Sequence, residues 1–203
     1  MKKPTLVLGT QNKGKIKEFK LLFRRLPIKI EGISIFSNIQ KFKEKGNTFA
    51  EIAAYKAKFV SKILKVPALS DDSGLEVKSL NGAPGIYSAR YAGELADDSE
   101  KNRKLLEEMK GKADRSARFS CSISIAKPSG ETRIYSGECY GIILNEPAGN
   151  NGFGYDPLFY YPPLKRTFAQ LSPEEKSMVS HRGQAINKLM NDFKKVIAWL
   201  NRI

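Results

Sequence analysis

Thr5 to Leu8 is a continuous apolar run ended by Gly9, and after it the period changes: Ile16, Phe19, Leu22, Phe23 and Leu26 recur at three- and four-residue spacing until Pro27. An apolar run followed by a helical period predicts a buried strand, a polar turn and a helix that proline stops. Ile28 to Phe36 alternates loosely and predicts a second strand. Thr48 and Glu51 then stand at capping-box spacing, ahead of a helix whose apolar face is Phe49, Ile52, Ala53, Val60, Ile63 and Leu64. Beyond Pro67, Ala68 and Leu69 enter a third strand. Ser70-Asp71-Asp72-Ser73-Gly74 reads as a polar turn at its end, where Gly74 permits a bend, and Leu75-Glu76-Val77 resumes the alternation.

The second half follows the same logic. Asn81 to Tyr91 is a glycine- and proline-rich loop, and Asp98 or Ser99 caps a helix carrying Leu105, Leu106 and Met109 that ends at Gly111. Phe119, Cys121, Ile123 and Ile125 alternate strictly, Pro128-Ser129-Gly130 turns the chain, and Thr132 to Tyr140 returns as an antiparallel partner. Asn150 to Pro157 is a second glycine-rich loop, this one with aromatics. Ser172-Pro173-Glu174-Glu175 starts a helix with a cap, a proline in the first turn and a glutamate to close the box. One last helix carries Ala185, Ile186, Leu189, Met190, Phe193, Val196, Ile197 and Leu200 on one side. Without repeat, low-complexity tract or linker, residues 1–203 are expected to form a single domain.

Composition narrows the class. A chain of 203 residues with 41% apolar content can bury a good core. The net charge of +14 predicts attraction to polyanions such as nucleic acid, a membrane surface or nucleoside polyphosphates. No run approaches the roughly 18 apolar residues of a membrane span, and Met1-Lys2-Lys3 precedes too short a run for a signal peptide, so a cytoplasmic protein without membrane partner is expected. Cys121 and Cys139 are too few for a disulfide framework and lack metal-ligand spacing; two reduced thiols are expected.

Four stretches carry chemistry-bearing residues. Gly9-Thr10-Gln11-Asn12-Lys13-Gly14-Lys15 lies between strand and helix, where free backbone N–H groups and the helix dipole meet anions and Lys15 adds charge; the spacing is not that of a Walker loop. Asp71 and Asp72 offer two carboxylates for a metal and a water. Phe153, Gly154, Tyr155 and Asp156 suit a flat ring beside exposed backbone. His181, the one histidine, stands beside Arg182 at a helix entry. Lys56 or Lys58 could reach a phosphate, although solvation is the ordinary state of such lysines.

Several motifs together resemble a known family, the inosine/xanthosine triphosphate pyrophosphatases, which are Ham1-like nucleotide house-cleaning enzymes. They are Thr10-x-Asn12-x-x-Lys15, Glu44-x-Gly46-x-Thr48-Phe49, Ser70 to Leu75, Gly82 to Arg90, Gly152 to Pro157, and Glu175-Lys176-x-x-x-Ser180-His181-Arg182-Gly183. The resemblance implies a two-lobed α/β fold on a long mixed β-sheet, with the active-site cleft between the lobes, and a homodimer. It also implies hydrolysis of ITP, dITP or XTP to the monophosphate and pyrophosphate, with magnesium as cofactor. By matching motif, Thr10, Gln11, Asn12, Lys13, Gly14, Lys15 and Ser73 would hold phosphates, joined by Lys56. Glu44 and Asp72 would serve the metal, and Asp72 would accept the proton, with Asp71 open to exchanging roles. Phe153, Gly154, Tyr155, Asp156, Lys176, His181 and Arg182 would contact the nucleotide, His181 and Arg182 as donors to the base oxygen. Ile52 departs from the family pattern, which often has Asn there. A nucleic-acid-binding protein, and a Maf-like enzyme acting on pyrimidine nucleotides, are the rival readings; the acidic residues disfavour the first, so no stable nucleic-acid partner is expected.

Overall fold

β1 (Thr5–Leu8) is apolar on both faces because it lies inside a sheet, and three of its four residues are buried. The structure, a computed structural model, describes residues 5–24, 26–32 and 45–202. β1 pairs in parallel with β2 (Lys29–Gly32), from Thr5 opposite Lys29 to Leu8 opposite Gly32. On its other side it pairs in parallel with β3 (Ala68–Val77), Val7 opposite Ala68. Parallel neighbours need crossovers, which α1 (Lys13–Phe23) and α2 (Phe49–Leu64) supply. β4 (Ser116–Ala126), β5 (Thr132–Ile143), β6 (Phe159–Tyr161) and β7 (Arg166–Thr167) complete a seven-stranded sheet in the order β2-β1-β3-β4-β5-β6-β7. The β5–β6 and β6–β7 pairs are antiparallel, so the sheet is mixed, and the α/β class expected from the sequence holds.

The chain divides into two compact units, Met1–Asp72 with Cys121–Gly137 and Arg182–Ile203, and Ser73–Ser120 with Glu138–His181. The first is built around Leu6, Leu8, Phe19, Phe23, Leu69, Ile123, Ile125, Ile186 and Leu189, taken from strands and from the inner stripes of α1 and α5 (His181–Asn191). The second is built around Leu75, Val77, Phe119, Phe159 and Phe168, with Leu105 and Met109 of the α3 segment (α3, Asp98–Glu108). The division falls between Asp72 and Ser73 and between His181 and Arg182, so each of those two motifs contributes to both units.

Several expectations are corrected. The acidic stretch is no turn: β3 runs unbroken from Ala68 through Asp71, Asp72 and Gly74 to Val77. β1 pairs with β3 at Ala68 and Leu69, and β4 is its hydrogen-bonded neighbour on the other side; strand pairing outweighs the turn preference of Asp, Ser and Gly. The final helix is two helices, α5 and α6 (Phe193–Leu200), with Asp192 between them. The Asp192 carboxylate accepts hydrogen bonds from the Tyr135 hydroxyl at 2.8 Å and from Arg133 at 3.1 Å, anchoring the break to β5. The helix expected to be capped by Asp98 or Ser99 is capped by Asp97, and Gly85 to Arg90 of the first glycine loop coil into a 3-10 turn. α1 ends at Phe23, ahead of Pro27. Of the expected second strand, residues 33–36 lie outside the described residues. Cys121 and Cys139 are buried and unbridged, and burial pushes both thiols up to about 12.

Candidate active site

In the first unit the polar turn after β1 is shaped by two local contacts and one close approach. Asn12 caps α1, its side-chain oxygen accepting from the Lys15 N–H at 3.0 Å, and Thr10 Oγ1 accepts from the Asn12 N–H at 3.3 Å. Gly9 brings β1 against β3: its N–H donates to the Leu69 carbonyl at 2.7 Å, and a Cβ there would lie 2.3 Å from the Ser70 hydroxyl. Gln11, Asn12 and Lys13 are exposed and Gly14 is half-buried, so the backbone donors at the start of α1 open to solvent. Lys15 turns inward, with Nζ 3.0 Å from the Asp71 carboxylate.

Asp71 is fully buried, and Arg182 of α5 reaches it from a second direction, its Nη2 at 3.0 Å. Arg182 is itself 1% exposed and pairs also with Glu18 of α1. Burial works to raise the Asp71 carboxyl, but Lys15, then Arg182 and Lys56, outweigh it and hold it well below the usual carboxylate range. Burial likewise opposes the charge on Arg182, and Glu18 and Asp71 more than restore it. Asp72 points to the other face of β3, as strand alternation requires, and Lys56 stands 3.4 Å from its Oδ1. Lys56 is buried, whereas Lys58 two residues on is exposed, so the lysine of interest is not in the solvated state ordinary for its type. The adjacent acids thus differ: Asp71 is enclosed by cations, and Asp72 keeps an edge to solvent.

In the second unit the loop Gly152-Phe153-Gly154-Tyr155-Asp156 is held from within. Asp156 Oδ2 accepts from the Phe153 N–H at 2.9 Å and from Lys176 of α4 (Pro173–Val179) at 2.5 Å. Gly152 adopts φ +77, and a Cβ on it would lie 2.0 Å from that same carboxylate oxygen. Lys176 Nζ also sits 4.9 Å from the centroid of the Phe153 ring. Tyr155 is buried, donates its hydroxyl to the Ser88 carbonyl at 3.0 Å, and is raised in pKa chiefly by that burial. Ser88 in turn accepts from the Leu75 N–H at 2.9 Å and donates to the Gly85 carbonyl at 2.6 Å, tying the first glycine loop to β3. The His181 ring lies flat on Phe119, centroids 4.7 Å apart and planes 11° apart, and is 4% exposed.

The structure therefore gathers Lys15, Lys56, Asp71, Asp72 and Arg182 in one unit, and Phe153, Asp156 and Lys176 in the other. Ser73 follows Asp72 on β3. Glu44 lies outside the described residues. Two participants went unread in the sequence. Glu18 is the one acid of α1, a signal that was available, and Phe119 under His181 looked like an ordinary core residue. Ile52, where the family pattern often has Asn, is buried in α2.

A buried acid flanked by cations behind a helix-capped polar turn, and a glycine loop presenting a ring beside a lysine, are the parts of a nucleotide-handling protein of the mixed α/β class. The model of the Ham1 family matches residues 6–192, and the chain belongs to that family. It is 50% identical over 199 residues to a dITP/XTP pyrophosphatase of Desulfotalea psychrophila, covering 98% of this chain and 89% of that one. With a dITP/XTP pyrophosphatase of Listeria innocua it shares 45% identity over 194 residues, 95% of this chain and 96% of the other. Among solved structures, a HAM1 protein from Coxiella burnetii superposes with a TM-score of 0.86 at 43% identity, covering 95% of this chain and 99% of its own. The Staphylococcus aureus Ham1 protein gives 0.84 at 44%, with the same coverage.

Proposed function

We propose that the chain hydrolyses deaminated-purine nucleoside triphosphates, dITP, ITP and XTP, to the monophosphate and pyrophosphate. The observation that carries this reading is the asymmetric acid pair, set in a chain of nearly full-length likeness to dITP/XTP pyrophosphatases. Thr10 to Lys15 and Ser73 take the phosphates through backbone and side-chain donors, and Lys15 adds charge. Asp72, with its edge to solvent, orients the attacking water and accepts its proton as oxygen adds to the α-phosphorus and the bond to the pyrophosphate oxygen breaks. Asp71 does not compete for that role, because two cations bind its carboxylate and make it a weak proton acceptor. Phe153 offers the base a face, and Lys176 and Asp156 fix the loop that carries it.

Arg182 receives a different role from the one the motif suggested. Its guanidinium is engaged by Asp71 and Glu18, so it ties Asp71 to α1 rather than serving as the donor that reads the base. His181 keeps that candidacy.

Magnesium is the metal of this proposal. Such an ion commonly takes only one or two carboxylates and completes its sphere with phosphate oxygens and water. Asp72 supplies a hard carboxylate oxygen, and Glu44 is the second ligand named by its motif. The ion would neutralise the polyphosphate and stabilise the leaving pyrophosphate.

A homodimer and action in the cytoplasm complete the reading. Tyr140 and Ile142, alternate exposed residues on β5, offer apolar area for a second copy. Unbridged cysteines suit a reducing compartment, and among the described residues no helix is long and apolar enough to cross a membrane. The deciding experiment is an assay of the purified protein against dITP, XTP, dATP, dGTP and dCTP, with and without chelator. Monophosphate and pyrophosphate from dITP and XTP, abolished by chelator and restored by magnesium, are expected; orthophosphate release or a preference for dCTP would overturn the reading.

A further inference from the structure

The base-bearing loop is also gripped from outside, by a helix to which the reaction assigns nothing. α3 begins at Asp98, capped by Asp97 in a reciprocal box with Glu100, and Leu105 and Met109 bury its far end. Asp98 and Asn102, four residues apart, project from one face of it. Asp98 Oδ2 accepts from the Gly154 N–H at 2.6 Å, and Asn102 Nδ2 donates to the Gly154 carbonyl at 3.0 Å. Both main-chain groups of Gly154 are therefore fixed by one helix face. The other carboxylate oxygen of Asp98 is paired with Lys101 at 2.6 Å, which holds the acceptor in place.

Gly154 needs such a grip. It stands at φ +63 and no atom lies within 4 Å of where a Cβ would be, so side-chain packing does nothing to set the peptide on either side of it. Those peptides are the ones that join Phe153 to Tyr155. Tyr155 is anchored through its hydroxyl and Phe153 through its own N–H, and between them a long bond from the Asp156 N–H to the Phe153 carbonyl, 3.3 Å, shares with α3 the setting of the Gly154 peptides.

We infer that Asp98 and Asn102 are positioning residues for base selection: by clamping Gly154 they fix the attitude of the Phe153 ring, without touching substrate. The inference rests on the reading of Phe153 as the base platform. Losing one hydrogen bond of this kind changes an affinity by about tenfold. Asn102→Ala and Asp98→Ala are each expected to raise KM for dITP about tenfold and to narrow the preference for dITP over dATP. Turnover at saturation and inhibition by inorganic triphosphate, which reports phosphate binding and an intact fold, should stay within about twofold. Asp98→Asn retains an oxygen for the Gly154 N–H and should restore most of the KM, whereas Asn102→Asp sets acceptor against acceptor and should not.

Phe153→Ala run beside these variants separates the two claims. If Phe153→Ala loses the dITP preference while Asn102→Ala and Asp98→Ala keep it, the clamp is overturned and the platform stands. If Phe153→Ala keeps the preference, the platform falls, and the clamp with it. Parallel loss of triphosphate inhibition in the α3 variants would show a general structural role and would also overturn the inference.

Discussion

Arg182 Nη2 lies 3.0 Å from Oδ2 of Asp71, a residue 111 positions earlier in the chain, and both are buried. The pair ties α5 to β3, and Glu18 on α1 takes a second nitrogen of the same guanidinium. A buried cation with two acid partners is a structural tie first, because removing one member leaves a charge without compensation, at a cost of about 3–5 kcal/mol.

Arg182→Ala should therefore lower stability by about 3 kcal/mol and reduce kcat/KM for dITP and dATP in equal proportion, leaving the ratio unchanged. Arg182→Lys should recover only part of the stability, since an ammonium lacks the planar fork that meets Glu18 and Asp71 together. Denaturant unfolding and paired kinetics check both. A change in the dITP/dATP ratio would return Arg182 to base reading.

The same tie sets an acid limit. The folded pKa of Asp71 is depressed, so its contribution to stability is present above the unfolded value of about 3.9 and is lost as pH falls from there toward the folded value. Unfolding followed from pH 6 to pH 2.5 should show a shallower acid loss in Arg182→Ala than in the parent, because one of the two nearest cations is gone.

Asp72→Asn should lower turnover by about 100-fold or more, the lower end of general-base effects, with only a small fall in melting temperature, because Lys56 keeps the charge of Asp71 nearby. Asp71→Asn should instead lose stability, because Lys15 and Arg182 would face a neutral amide in the interior. Circular dichroism melts alongside turnover distinguish the two. A stable, inactive Asp71→Asn beside an active Asp72→Asn would reverse the roles of the pair.

Gly152→Ala meets both a left-handed backbone and the Asp156 carboxylate, so the loop must shift. The expected result is a rise in KM for dITP of about tenfold or more, the order of one lost loop hydrogen bond, with little change in triphosphate inhibition. Equal loss of both would mean that the loop serves the phosphates.

Cys121 and Cys139 should resist iodoacetamide at pH 8 in the native protein and react once it is unfolded, because burial raises both thiols to about 12. Since the folded values are raised, their contribution to stability is full below the unfolded value of about 8.5 and is lost as pH rises from there toward 12. Mass spectrometry after timed alkylation checks the first, and alkaline melts the second.

Local chemistry sufficed for much of this protein. The run Thr5–Leu8, the helical stripe from Ile16 and the Ser172–Glu175 capping box were legible because each depends on neighbours within one or two turns. The motif residues from Thr10 to Arg182 were legible as a set, since a chain keeps its reactive side-chain types in recognisable local strings. What the string could not carry was partnership at a distance. Whether Ser70 to Gly74 turns or runs straight was decided by the pairing of β3 within the sheet, which local turn preference did not outweigh. Lys56 and Lys58 read alike until the packing of α2 buried one and left the other in water. Asp71 and Asp72 differ for the same reason: alternation turned them to opposite faces, and only the fold placed Lys15 and Arg182 on one of those faces, fixing which acid is held and which retains an edge to solvent.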